Sequence, residues 1–446
     1  MKKLFDHSQR VALHLDNSSD WLKLDKTLTQ LNKVIVPVPH FFTPKQILHM
    51  VKTVGIDTIV CEKKAQPLWN SMGYEKTKNL DFGLIMKKDI RDYPQLPKNT
   101  HKITFTSGTT NEPKGVCLSL NHLQTVAESL AQVTKPFNVK RHLSILPLSV
   151  LLENIAAHYA AEKSGVQSIA LSLSDMGFSG SNQLDIKQLV KVIKEHKPDS
   201  LILMPQILKA LLVYIEQTQT QLPFLKFMAV GGAVCSKNLL AKAHDLGLPV
   251  FEGYGISECG SVISLNTTKN HKNGVGKVLP HQKVKISEES EILTKGQLHC
   301  GYLGQSPNDN NWYATGDLGK FDDNNNLHIV GRKRNTIINS FGRNISPDWI
   351  EAEMSSLLSV NQVAIYGEAQ PFLTAIVSPS IAKNRLEKEV DNLNQTLPDY
   401  AQIRNIIVTE SPFSFANEMA TASGKIKHKQ IFNQYQSQLR NIYATA

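Results

Sequence analysis

"TPKQILHMVKTVGIDTIVC", residues 43 to 61, reads as a helix followed by a strand, and that succession decides the fold. Thr43 before Pro44 is a helix start, since proline at the first helical position lacks only an N–H that would be unpaired there anyway. Ile47, Met50, Val51 and Val54 share one face at helical spacing, Gly55 stops the helix, and "DTIVC" returns as a buried strand. Upstream, "RVALHLD" and "KVIVPVP" are further strands. Working outward, the alternation continues to about residue 255. Strands are expected at "SILPL", "VQSIALS", "SLILMP", "FLKFMAVGG" and "PVFEGYG". Between them lie helices at "LLENIAAHYAAEKSG", "IKQLVKVIKEHKP", "QILKALLVYIEQT" and "SKNLLAKAHDLG". Such alternation gives a doubly wound α/β core of mostly parallel strands. After about residue 275 shorter strands such as "KVKIS", "EILTKG" and "NLHIVG" mark a small β unit. We therefore expect an N-terminal domain over 1–333, with its α/β core at about 1–274 and the β unit at about 275–333. A small α+β domain is expected over 334–446.

The 446 residues exceed one compact core, which agrees with that division. With 41% hydrophobic and 20% charged residues the chain reads as an ordinary soluble globular protein. Charged residues interrupt the N-terminus "MKKLFDHSQR", so no secretory signal is expected, and no apolar run is long enough to span a membrane. The five cysteines lack the close spacing of metal sites or redox dithiols, and a reducing cytoplasm is the expected location. The net charge of +10 permits nucleic acid, an acidic surface or a phosphate-rich ligand. No basic run, zinc-finger spacing or RNA-binding signature accompanies it, so no nucleic-acid partner is expected.

Three loops carry chemistry. "SGTTNEPKG", behind the strand "ITFT", offers the hydroxyls of Thr106, Ser107, Thr109 and Thr110, a flexible Gly108 and the cation of Lys114. It is not a Walker A loop, because Lys114 lies between Pro113 and Gly115 instead of opening a helix before Ser or Thr. By itself it is either a phosphate cradle or a polar connection. "EGYGISECG" sets the aromatic Tyr254 near Glu258, a pair able to stack a purine and hold Mg²⁺, which favours one or two carboxylates plus substrate phosphates. Core packing for Tyr254 and solvation for Glu258 are the plainer alternatives. "WYATGDLG" contributes Asp317, able to accept from two ribose hydroxyls or to serve as a turn aspartate.

Together with "GRKRNTIINSFGRNISPDWIE" and "TASGKIKHKQI", these motifs stand in the order and approximate spacing of the adenylate-forming superfamily. That superfamily holds acyl-CoA synthetases, nonribosomal adenylation domains and firefly-type luciferases. The chain resembles it from about residue 11 to about 440, and "SFGRNISP" and "LPLSVLLENIA" look most like long-chain acyl-CoA synthetases. The resemblance implies ATP-dependent activation of a carboxylic acid as acyl-adenylate, with release of pyrophosphate. Transfer then follows to a thiol, either coenzyme A or the phosphopantetheine of an acyl carrier protein. By the same resemblance Thr106, Ser107, Gly108, Thr109, Thr110 and Lys114 would clamp the β- and γ-phosphates. Gly231, Gly232 and Ala233 would border adenine, with Tyr254 and Gly255 flanking it. Ser257 would donate to the α-phosphate, Glu258 would bind Mg²⁺, and Asp317 and Arg332 would hold the ribose. Lys425 would reach the α-phosphate and the carboxylate. The C-terminal domain would be mobile, turning about Arg334 between two half-reactions; Gly342 would then give the thiol room to enter, and Arg343 would meet phosphates of coenzyme A or be a solvated charge.

The sequence departs from the family pattern at Asn111, where glycine is usual, and at Val150, where many relatives place histidine. Arg334 stands where Asp or Lys is more usual, the lysine motif lacks its frequent proline, and residues that usually precede "RVALHLD" are missing. None of these removes a proposed charged group. Val150, Leu151 and "LILMPQILKALL" suggest an apolar acyl or aryl substrate, or simply core. The remaining alternatives are an adenylating enzyme that uses a non-thiol acceptor or closes a β-lactone, and a silent nucleotide-binding regulator.

Overall fold

Thr43 caps the helix Pro44–Val54 by accepting from the Gln46 amide, Gln46 Oε1 in turn accepts from the Thr43 amide, and Gly55 ends the helix with φ 69°. In the computed structural model, which describes residues 2–106, 113–179, 183–268, 274–305, 312–341, 343–380, 383–421 and 424–444, this helix packs on the first of two large sheets. The centre of that sheet is parallel, with the strand Arg10–His14 between Val34–Pro37 and Thr58–Cys61, and Lys102–Thr106 beyond Val34–Pro37. Both flanks are antiparallel: Lys114–Leu118 and Gly301–Tyr302 on one side, Gly83–Lys87 and Glu75–Leu80 on the other. The Glu75–Lys87 hairpin was not anticipated; its outer strand is exposed and charged, so no apolar alternation announces it.

The second sheet runs Lys277–Val278, Ser264–Leu265, Val250–Tyr254, Phe227–Val230, Ser200–Leu203, Arg141–Leu143, Gln167–Ile169, and its five last-named strands are parallel. Here "SILPL" departs from expectation, because the strand is Arg141–Leu143. Beyond it Leu146 and Leu148 give their amides to the side chains of Glu153 and Asn17, and Pro147 has no amide to give. The expected helix after it spans Leu151 to Ser164, but its middle, Ile155–Ala160, is π-wound.

A buried polar group ties the first sheet to the helix Ser19–Gln30 and to the helical segment Leu151 to Ser164. The Lys102 ammonium lies 2.8 and 2.9 Å from the carboxylate oxygens of Asp25, which also meets His158 Nδ1 at 2.7 Å and the Asn154 amide at 2.9 Å. Lys102 and Asp25 are 0% exposed, so each charge depends on these partners; Lys102 also donates to Asn154 Oδ1 and stands 4.8 Å over the Tyr159 ring.

Four antiparallel strands follow, Gln282–Ile286, Glu291–Gly296, Tyr313–Phe321 and Leu327–Arg332. The smaller C-terminal domain has a three-stranded sheet of Val360–Tyr366, Leu373–Pro379 and Ile403–Val408, with helices Pro347–Ser356, Leu386–Asn394 and His428–Ala444. No helix among the described residues is long and apolar enough to cross a membrane.

Candidate active site

The parallel strands of the second sheet end on the wall of a cavity of about 3570 Å³ between the two domains. The loops that leave those ends carry most of the predicted residues. After Phe227–Val230 come Gly231 and Gly232; a Cβ on Gly231 would sit 3.0 Å from the Gly253 carbonyl, and Gly232 has φ +78°. Glycine is therefore demanded here by the meeting of neighbouring strand ends, before any ligand is considered. Tyr254 closes the strand Val250–Tyr254, and a Cβ on Gly255 would lie 1.9 Å from the Ser261 carbonyl. Only glycine admits this turn, which delivers Ser257 and Glu258 to the rim.

The small β unit supplies the facing wall. Asp317 and Arg332 are cross-strand partners in the pair Tyr313–Phe321 and Leu327–Arg332, and Arg332 Nε lies 3.0 Å from Asp317 Oδ1. The second oxygen of Asp317 accepts from the Tyr254 hydroxyl at 2.7 Å. Burial pushes the Asp317 carboxyl upward against the pull of Arg332 and Tyr254, and burial, reinforced by Asp317, pushes the Tyr254 phenol well up, which keeps it a donor. Thus three predicted residues, far apart in sequence, form one hydrogen-bonded group.

Glu258 is held by residues the sequence reading did not single out. The Tyr302 hydroxyl donates to Glu258 Oε1 at 2.6 Å and lies 2.9 Å from the Tyr313 hydroxyl. Burial and Glu258 push the Tyr302 phenol well up and the Tyr313 phenol to about 12. Lys114, the first residue of its strand, stands over the Tyr302 ring at 5.9 Å. Among the described residues no group of three or more His, Cys, Asp or Glu side chains could hold a metal ion alone. One oriented carboxylate at a cavity rim nevertheless fits Mg²⁺, which completes its shell with phosphate oxygens and water.

Lys425 approaches from the C-terminal domain, directly after Gly424 (φ +80°), and its amide donates to Thr421 Oγ1 at 3.0 Å. Partial desolvation in the cleft, and then Arg332, push its ammonium below the ordinary lysine value; Asp348 and Asp317 oppose them. Thr106, Lys114, Ala233, Ser257 and Arg334 border the same cavity, and Arg334 lies in the short turn Lys333–Asn335 that joins the domains. The hairpin register pairs Thr106 with Lys114. Ser107, Gly108, Thr109, Thr110, Asn111 and Gly342 lie outside the described residues.

Deeper in, the cavity runs between the second sheet and the helices Leu120–Thr134 and Leu151–Asn154, where Leu130, Leu152, Ala156, Ile202, Phe227 and Ala229 line it. Of "LILMPQILKALL", Leu203, Leu208, Leu211 and Leu212 belong to the buried core beneath the sheet's other face, Ile202 and Met204 border the cavity, and Leu201 belongs to the core while also touching the cavity wall.

Comparison with known proteins bears on the family and the fold. The model of a family described as "AMP-binding enzyme" matches residues 5–303, and that of the "AMP-binding enzyme C-terminal domain" matches residues 334–446. The chain is 24% identical to long-chain-fatty-acid–CoA ligase 5 of Mus musculus, covering 95% of this chain and 75% of the relative. It is 25% identical to 2-succinylbenzoate–CoA ligase of Enterococcus faecalis, covering 96% of this chain and 89% of the relative. Among solved structures, O-succinylbenzoate coenzyme A synthetase of Bacillus subtilis, in complex with ATP and magnesium ion, superposes with a TM-score of 0.74 at 20% identity, covering 96% and 91% of the two chains.

Proposed function

The chain belongs to the family of AMP-binding enzymes, and on that premise we propose that it is an ATP-dependent ligase that joins an apolar carboxylic acid to the thiol of coenzyme A. The observation that carries this reading is the convergence of Tyr254, Glu258, Asp317, Arg332 and Lys425 on one cavity with an apolar extension. In the first step a carboxylate oxygen attacks the α-phosphorus of ATP and pyrophosphate leaves. In the second the thiol sulfur attacks the acyl carbonyl, AMP leaves, and the thiol proton is released.

The adenylating step brings an anionic nucleophile to a polyanion, so its barrier is lowered by cations and donors already in place. Asp317, fixed by Tyr254 and Arg332, accepts from the ribose hydroxyls, and the Tyr254 ring flanks adenine beside Gly231, Gly232, Ala233 and Gly255. Ser257 donates to the α-phosphate. Lys425 bridges the α-phosphate and the attacking carboxylate. Lys114 and Thr106 meet the β- and γ-phosphates at the mouth of the loop containing Ser107, Gly108, Thr109 and Thr110. Glu258, oriented by Tyr302, would hold Mg²⁺, whose charge would offset that of the phosphates. The acid lies with its apolar part against Ala229, Ile202 and Ala156.

Residues 1–333 and 334–446 act as two domains. The second is mobile and turns about Arg334 between the steps, bringing the segment with Gly342 and Arg343 to the cavity for thiol entry. A carrier-protein phosphopantetheine presents the same sulfur and is the alternative acceptor. Five free cysteines support a cytoplasmic location.

The test is a panel of acids incubated with ATP and Mg²⁺, read by pyrophosphate release, followed by product mass with coenzyme A or a phosphopantetheinylated carrier protein. Pyrophosphate release with apolar acids and an acyl-CoA mass are expected. ATP binding without pyrophosphate release for any acid would instead support a silent nucleotide-binding protein.

A further inference from the structure

Lys209 lies on the helix Pro205–Thr218 of the N-terminal domain, among residues that otherwise supply core leucines. Its ammonium crosses to the C-terminal domain and donates to three backbone carbonyls: Ser355 at 2.8 Å, Leu357 at 2.6 Å and Val360 at 2.8 Å. These lie at and just beyond the C-terminal end of the helix Pro347–Ser356, where carbonyls lack intrahelical partners and the helix dipole presents negative charge. A second attachment grips the same helix one turn earlier. Ser236 Oγ donates to Glu353 Oε2 at 2.8 Å and Asn238 Nδ2 reaches it at 3.3 Å, with Glu353 and Ser236 both buried.

The far half of this helix governs the Lys425 segment. Glu351 meets His428 Nε2 at 2.7 Å, three residues beyond Lys425, and Asp348 acts electrostatically on Lys425 itself. Contacts therefore run from Lys209 through one helix to His428, three residues from Lys425, and the same helix acts electrostatically on Lys425 through Asp348. We propose that Lys209 is a positioning residue for adenylation, clamping the Pro347–Ser356 helix so that Lys425 stands in the cleft beside Asp317. The inference rests on the adenylating reading given above. It predicts unequal effects on the two half-reactions, because a preformed acyl-adenylate no longer needs Lys425 to bring carboxylate and triphosphate together.

The test compares Lys209→Met, which keeps the apolar stem, and Lys209→Arg, which keeps the charge. One assay is acid-dependent ATP–pyrophosphate exchange; the other is thioester formation from supplied acyl-adenylate and coenzyme A. For Lys209→Met, kcat for exchange should fall by about tenfold or more, as loss of charge-assisted hydrogen bonds at a positioning contact implies. KM for ATP should hardly move, thioester formation should stay within about twofold, and Lys209→Arg should recover part of the exchange. Equal losses in both assays would reduce Lys209 to a structural role, and undiminished exchange would overturn the proposal. Amide hydrogen exchange provides an arm independent of turnover: Lys209→Met should deprotect 347–360 and 424–428 while leaving the first sheet unchanged. If wild-type protein activates no acid, the adenylating reading fails, and unchanged protection in the variant would then also refute the clamp.

Discussion

Among the described residues Lys425 forms no salt bridge, while Asp348 and Asp317 act on it through the cleft, which leaves its ammonium able to engage an incoming anion. Replacing it with alanine removes a donor aimed at transition-state charge, a loss typically worth about 3 kcal/mol. Lys425→Ala should slow acid-dependent ATP–pyrophosphate exchange about a hundredfold or more while ATP still binds, and near-normal exchange would refute its role. Several residues of this site were legible because their chemistry is written locally: Tyr254 and Glu258 stand in "EGYGISECG" and Asp317 in "WYATGDLG", short glycine-punctuated motifs, with Tyr254 ending its strand and Asp317 lying within one. Tyr302 and Lys209 were not legible. Tyr302 meets Glu258 across 44 residues, and Lys209 meets Ser355 across 146, so no window of sequence contains both partners. A lone lysine inside "QILKALL" was the one available signal, and it reads equally as a side chain turned to solvent.

Among the elements, the turn after Val250–Tyr254 is the most constrained. A Cβ at residue 255 would collide with the backbone of Ser261, which cannot rotate away as a side chain could. Gly255→Ala should cost about 1–3 kcal/mol of stability, the range of overpacking in a tight interior. It should also depress adenylation more than that loss explains, because the turn sets Tyr254 against Glu258; a variant with wild-type melting temperature and activity would show that the turn can open. Strands and helices with clear period, such as Pro44–Val54 and Phe227–Val230, were readable from sequence. The division into two sheets was not, since pairing partners are chosen by tertiary packing. "SILPL" misled for a physical reason: its apolar run satisfies a strand pattern, but its amides turn to the side chains of Glu153 and Asn17.

For the whole molecule, four interior histidines link folding to pH. Burial pushes His14, His101, His122 and His281 down to about 4, against about 6.5 when unfolded. Between those values the unfolded chain binds more protons than the folded one. Their contribution to stability is therefore complete above about pH 6.5 and is lost as pH falls toward 4, at about 1.4 kcal/mol per pH unit for each fully differing proton. His428 runs the other way: despite burial, Glu351 raises it, so its smaller contribution fades as pH rises. Urea melts from pH 7.5 to 4.5 should show stability dropping steeply in the lower half, with proton uptake on unfolding; a flat profile would contradict the buried, neutral state of these rings. The Asp25–Lys102 pair has a consequence for heredity rather than for chemistry. Lys102 begins the strand that ends at Thr106 on the cavity rim, yet its counter-charge comes from a helix that supplies no residue of the proposed site. Asp25→Asn would leave that ammonium uncompensated, a loss of about 3–5 kcal/mol. Such an allele should be temperature-sensitive, giving normal specific activity in cells grown cool and vanishing protein in cells grown warm.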